Sequence, residues 1–272
     1  MKSDLKHAKT GLEAIYQSYN RRAYVHPDPL EFLYEYRDAR DREIVGLVAS
    51  ALAYGRVAQI LKSVRTVLNR MTPAPATFLK TASLPGLRNH FAGFKHRFAT
   101  GEHLALMLMG AKGIIERHGS LRAGFMSGVK KSDESVLPAM TLFCNRLVSA
   151  GDPGHLVPLP ERGSACKRMN LFLRWMVRKD AVDPGGWDGI PASKLLIPLD
   201  VHMHRICTNL GLTKRKQADM RAVIEITAAF ARIMPSDPVR YDFALTRFGI
   251  RAEMSPEEIP DYLFSSTDRL PD

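Results

Sequence analysis

Cysteine is scarce. Cys144, Cys166 and Cys207 are the three in 272 residues, far apart along the chain and odd in number. No C-x-x-C pair occurs, which argues against a cysteine zinc site or an iron–sulfur cluster and leaves reduced thiols in a cytoplasmic protein as the expectation. Long apolar runs are missing too. The longest, IVGLVASALAY at Ile44–Tyr54, is too short to span a bilayer. The start, MKSDLKHAKTGLEAIY, is charged and lacks the apolar core of a secretory signal. No membrane partner is expected. Acidic residues are the minority: 28 Asp and Glu stand against 39 Lys and Arg, a net charge of +11. Such an excess favours polyanionic partners, with nucleic acid first. Period-2 strands of any length, internal repeats and low-complexity segments are also absent.

Helical periodicity is what the chain has. HPDPLEFLYEY places Asp28 before Pro29, a good helix start. DREIVGLVASALAYG reads as a largely buried helix ending near Gly55. RVAQILKSVRTVLNRM continues amphipathically, with Val57, Ile60, Leu61, Val64 and Leu68 on one face, until TPAPAT stops it. GEHLALMLMGAKGIIERHG and SVLPAMTLFCNRLVSAG are further helices. GDPGHLVPLPERGS and AVDPGGWDGIPAS are Gly/Pro-rich loops on either side of ACKRMNLFLRWMVRKD, a strong helix. VHMHRICTNL, KQADMRAVIEITAAFARIM and PVRYDFALTRF close the chain, the last with Asp237 and Pro238 as cap and first turn and Gly249 as its stop. The fold class is all-α.

Two segments carry chemistry. In IPLDVHMHRICTNLGL (Ile197–Leu212) a helix from Val201 puts Met203, Ile206, Cys207 and Leu210 on an inward stripe and leaves Asp200 as N-cap. Backbone N–H bonds and the helix dipole favour the charged carboxylate there, so its pKa should fall. Such an acid is either a cap alone or a fixed negative charge facing a cationic transition state. In LPERGSACKRMNLFLRW, Lys167 opens a helix whose apolar face holds Met169, Phe172, Leu173 and Met176. Lys167, Asn170, Arg174 and Arg178 lie along another face. A metal held by Asp200, His202 and His204 is not expected, because residues i and i+2 on a helix diverge.

The Asp200 segment resembles the one that carries the catalytic Asp in the helix-hairpin-helix DNA glycosylases, the superfamily of endonuclease III and 8-oxoguanine DNA glycosylase. The matching positions are Pro198, Asp200, Val201, His202 and Arg205. LPERGSACK resembles the hairpin of that superfamily, with Gly163 as the hairpin glycine and Lys167 in the position of the nucleophile of bifunctional members. Ala165 replaces the second hairpin glycine. The interval from Lys167 to Asp200 is longer than in the best-known members, and archaeal 8-oxoguanine glycosylases are similar in this. LVASALAYGRVAQILKSV resembles the buried helix, wedge loop and following helix, which puts Tyr54 and Arg56 on the wedge loop. FLRWMVRKD with IPLD-x-H is also similar to a bacterial family forming a distant branch of these enzymes. The resemblance runs from about Arg42 to Gly249.

The resemblance implies a two-lobed, glycosylase-like fold with a degenerate helix-hairpin-helix and a cleft between lobes. One lobe is expected over 40–180 and the other over 1–39 plus 181–272. It implies a base-excision DNA glycosylase with abasic-site lyase activity, in which Lys167 forms a Schiff base and Asp200 stabilises the sugar cation. The substrate would be duplex DNA with a damaged base, an oxidised purine being one candidate, or an abasic site. Tyr54, Arg56, Gly163, Arg168, Arg174, His202 and Arg205 would contact DNA, and Trp187 and Phe248 would stack on a flipped base. No metal or cofactor is implied, and a monomer is expected. Other readings stay open at this stage. Tyr54, Trp187 and Phe248 also suit a core, Lys167 also suits a phosphate contact, and TKRKQADMR (Thr213–Arg221) suits either a phosphate contact or a solvated helix start. A DNA-binding protein without catalysis is the alternative function; a helical enzyme unrelated to DNA, with Asp200 and His202 as acid and base, is a third.

Overall fold

The structure, a computed structural model, describes residues 2–250, with side chains described from 8 to 248. The described chain is mostly helical. Helix α1 (Lys2–Tyr19) is followed by a 3-10 turn at Pro29–Glu35, then α2 (Ala39–Ala51), α3 (Val57–Arg70), α4 (Pro75–Thr81) and α5 (Leu84–His90). A short antiparallel hairpin, β1 (Lys95–His96) and β2 (Ala99–Thr100), leads into α6 (Gly101–His118), α7 (Leu121–Met126) and α8 (Leu137–Leu147). After an irregular stretch come α9 (Lys167–Val177), α10 (Val201–Asn209), α11 (Met220–Ile233) and α12 (Asp242–Ile250). Among the described residues no helix is long and apolar enough to cross a membrane.

Local chemistry sets the ends. Asp38 caps α2 by accepting from the Arg40 and Asp41 N–H groups, and Thr100 and His103 form a capping box on α6. Asp28 caps Pro29–Glu35 as its sequence suggests, but the turn is 3-10 rather than α. The last helix departs from expectation. It opens at Asp242, and Gly249 lies within it. Asp237 is not its cap because its carboxylate is taken by Arg178 Nε at 2.9 Å.

One continuous apolar core runs from Leu12 to Phe248. Helix α2 packs on α9, α4, α7 and the Pro29–Glu35 turn, and α6 packs on α5, α7 and α8. Helix α1 reaches the far end of the chain to pack on α11 and α12, and α10 packs on α12. Gly110 permits the α6–α8 crossing: a β-carbon there would fall 2.0 Å from the Leu147 carbonyl oxygen. The three cysteines are buried and free, which matches their reading as reduced thiols. The second expected lobe extends through 251–272, which lie outside the described residues.

Candidate active site at the N-termini of two helices

Two helix starts meet. Lys167 is the first residue of α9 and Asp200 is the N-cap of α10. Lys167 Nζ lies 2.9 Å from Asp200 Oδ2, although 33 positions separate the two in sequence. Each segment is fixed by its own local structure. Before α10, Leu195, Leu196, Ile197 and Leu199 are buried in an extended run, and the Ile197 N–H donates to Thr227 Oγ1 of α11 at 3.1 Å. That apolar ramp ends at Asp200, whose Oδ1 accepts from the Met203 N–H at 2.8 Å. Before α9, the chain turns through Gly163, with φ +74, and Cys166, a non-glycine residue with φ +48. Ser164 Oγ accepts from the Cys166 N–H at 3.2 Å. The Gly163 carbonyl accepts from the Met220 N–H at 3.2 Å, which docks this turn onto the start of α11.

Burial alone would raise the Asp200 pKa. Lys167, the Met203 N–H and His202 outweigh it and hold the carboxyl below the usual carboxylate range. The side chains of Lys167 and Asp200 are 34% and 17% exposed, so the pair is partly withdrawn from water and its charges are less screened than at the surface. Cys166, directly behind Lys167, is buried and its thiol is pushed up to about 11 by that burial, which makes it a packing residue rather than a nucleophile.

The polar stripe of α9 continues inward as an ionic ladder. Arg174 donates to Asp183 at 3.2 Å and to Asp242 of α12. Arg178 meets Asp180, Asp183 and Asp237. Arg174 is 2% exposed, so the expectation that it contacts DNA is wrong. Its charge is consumed by two buried carboxylates, one of them remote in sequence. Asp242 is pushed up to about 6, because burial and the neighbouring Asp200 and Asp183 outweigh Arg174.

The base-stacking expectations for Trp187 and Phe248 are also corrected. Trp187 is 2% exposed and packs on Phe172, Phe125 and Phe143. Its Nε1–H donates to buried Glu43 at 3.1 Å, and the same carboxylate accepts from the Leu121 and Arg122 N–H groups at the start of α7. Phe248 is 1% exposed and meets Tyr19 edge-on.

The remaining expected contacts are surface or half-buried. Tyr54, after α2, is half-buried. Its hydroxyl donates to the His96 carbonyl at 3.0 Å, and Arg168 lies 4.9 Å over its ring. Thus Tyr54 supports the α2–α3 turn rather than projecting from it. Arg168 is half-buried and also donates to the Ala51 carbonyl at 3.0 Å, which ties the α9 start to the α2 end. Arg56, Gly163 and Arg205 are exposed, and His202 is half-buried. A shallow depression of about 430 Å³, lined by Lys214, Arg215, Lys216, Gln217 and Glu225, is centred on the α10–α11 loop rather than on the pair.

Two exposed apolar side chains lie outside the set of expected site residues. Val201, beside Asp200, is 74% exposed, and Phe98, at the tip of the β1–β2 hairpin, is 62% exposed. An apolar side chain at an N-terminal first turn, or in a stretch without helical periodicity such as KHRFATG, was the available signal.

No curated protein and no solved structure matches the chain. A family model does match, over residues 28–251. That span takes in α2, both helix starts that meet at Lys167 and Asp200, and the ionic ladder beneath them, and the chain belongs to this family, DUF2400, described as protein of unknown function.

Proposed function

We propose that this protein is a base-excision DNA glycosylase with abasic-site lyase activity. The observation that carries the proposal is the 2.9 Å contact between Lys167 Nζ and Asp200 Oδ2, an amine and an acid at two helix starts on a basic chain. Exposed Arg56 and Arg205 and the lysines of the α10–α11 loop would bind phosphates. The division of packing between α2–α9 and the set α1, α10, α11 and α12 is compatible with two lobes flanking the pair. A damaged nucleotide would be extruded to reach it, at roughly a few kcal/mol.

In the proposed reaction Lys167 loses a proton to solvent water while Asp200 stays ionised, and the free electron pair of the amine attacks C1′ of the sugar. The bond from C1′ to the base breaks, and the base leaves with the electron pair and takes up a proton. Negative Asp200 faces the positive charge that develops on the sugar, as carboxylates do in glycoside hydrolysis. Opening of the ring gives an iminium between C1′ and Nζ. Loss of a C2′ proton then breaks the bond from C3′ to its phosphate oxygen, which cleaves the strand.

A second reading keeps Lys167 as the ion-pair partner of Asp200 and uses water as nucleophile. It draws on the same contact, in which the amine is already engaged, and yields base release without strand cleavage. A third keeps DNA binding without catalysis and draws on Ala165 in place of the second hairpin glycine. The test is incubation with abasic-site and 8-oxoguanine duplexes under borohydride. A covalent adduct that is lost in Lys167→Ala supports lyase chemistry. Base release without adduct supports water. Binding with neither, across a panel of lesions, supports the inactive reading.

A further inference from the structure

Phe98 is out of place by the ordinary logic of burial. Its ring is 62% exposed, yet the hairpin that presents it is firmly anchored. His96 is 1% exposed. Its Nδ1 meets Ser63 Oγ at 2.9 Å and its Nε2 meets the Tyr54 carbonyl at 3.1 Å, while the Tyr54 hydroxyl donates back to the His96 carbonyl. The tip residue Arg97 takes φ +52, as tight two-residue hairpin loops require.

An arginine lies beside the ring. Arg97 Cζ lies 5.5 Å from the Phe98 centroid. The Arg97 side chain runs across Gly55, where a β-carbon would fall 2.8 Å from Arg97 Cδ, and Gly55 itself takes φ +98, which suits glycine. Exposed Arg56 follows in the α2–α3 turn. On the other side Phe98 meets exposed His155, from the segment that leads to α9, at 5.4 Å. The contacts continue through Tyr54 and Arg168 to the residue beside Lys167. An apolar protein partner would call for a wider apolar patch. A nucleobase offers a π face for the ring and phosphates for the arginines.

We propose that Phe98, next to His155 and Arg97 and with exposed Arg56 in the adjoining α2–α3 turn, is a stacking site for an unpaired nucleobase of a DNA strand that passes the Lys167–Asp200 pair. The proposal rests on the DNA-repair reading for the identity of the polyanion, and it assigns to the hairpin a base contact close to the turn where Tyr54 was expected to contact DNA. A fully paired duplex keeps its bases stacked internally and has none to offer. An abasic site or a single strand does.

The test uses fluorescence. Trp175 and Trp187 are 1% and 2% exposed, so Phe98→Trp adds an exposed indole to a chain whose own tryptophans are buried. Titration with a ten-residue oligothymidylate, or with an abasic-site duplex, should quench its emission by about half, while an intact duplex of equal length changes it little. Phe98→Ala should weaken binding to the single strand and the abasic duplex about tenfold, leave intact-duplex binding within about twofold, and recover with Phe98→Tyr. Unchanged indole emission at saturating DNA would overturn the proposal, as would wild-type affinities in Phe98→Ala. Self-association abolished by Phe98→Ala would overturn it too, by giving the ring another occupant. A borohydride adduct with a silent indole would refute the stacking site and leave the repair reading standing. Quenching with no adduct and no base release would do the reverse.

Discussion

Asp200 divides its carboxylate between two helices: Oδ1 accepts the Met203 N–H of its own helix at 2.8 Å, and Oδ2 takes Lys167 Nζ of α9 at 2.9 Å. The acid is therefore a cap and a charge partner at once, and the two roles can be separated. Asp200→Asn keeps an oxygen for the cap and loses the charge. Its unfolding free energy should stay within about 1 kcal/mol of wild type, while base release falls about 100-fold or more. Asp200→Ala should lose both. Urea unfolding run beside a single-turnover assay checks this.

Arg174 should behave as a structural residue. Removing it leaves Asp242 buried without its arginine and takes one of two arginines from Asp183, which keeps Arg178, so Arg174→Ala should destabilise the fold by about 3–5 kcal/mol. Arg205→Ala, at an exposed position, should leave stability nearly unchanged and reduce the salt dependence of DNA binding by about one counterion. Chemical denaturation and binding titrations across salt concentrations distinguish the two arginines.

Trp187→Ala should lower stability by about 3–5 kcal/mol through the cavity and the lost donor to Glu43. Trp187→Phe should keep most of the packing, lose only the hydrogen bond, and bind lesion-containing DNA as wild type does. A drop in lesion affinity for Trp187→Phe at unchanged stability would return the ring to the substrate pocket. Thermal denaturation with parallel binding isotherms decides the matter.

Asp242 supplies a pH signature. Its carboxyl is pushed up from the ordinary 3.8 to about 6 by burial, and its Oδ1 is buried without a hydrogen-bond partner. The charged groups that act on it are Arg174, Asp200 and Asp183. Between those two pH values the folded chain holds a proton that the unfolded chain releases, so this group's contribution to stability is present at the lower pH and is lost as pH rises through about 6. Asp200 has the opposite sign, since its lowered pKa stabilises the fold above the ordinary carboxylate value and is lost on acidification. Asp242→Asn should flatten the pH profile of unfolding between pH 4 and 6, which a series of urea melts would show.

The sequence carried the local half of this structure. The lead Ile197-Pro198-Leu199 and the inward stripe of Met203, Ile206 and Cys207 were sufficient to place Asp200 at a helix start, and the apolar face of α9 was sufficient to start a helix at Lys167. Both readings rest on short-range periodicity and capping, which depend on neighbours in the chain. The partners of Arg174 and Trp187 do not: Asp242 is 68 positions from Arg174, and Glu43 is 144 from Trp187. Sequence separation holds no information about such distances, so a buried arginine and a buried indole looked available for ligand. The β1–β2 hairpin was illegible for another reason. Two-residue strands are too short for alternation to register. Asp237 and Pro238 made a convincing helix start until Arg178 claimed the aspartate.

The most direct test of the Lys167–Asp200 site is to trap the protein on an abasic-site duplex with borohydride, digest it, and locate the sugar adduct by mass spectrometry. If Lys167 is the nucleophile, the adduct maps to the peptide beginning at the α9 start, and Lys167→Ala gives none while still binding the duplex. An adduct on another lysine, or an undiminished yield from Lys167→Ala, would show that the amine beside Asp200 does not perform the reaction.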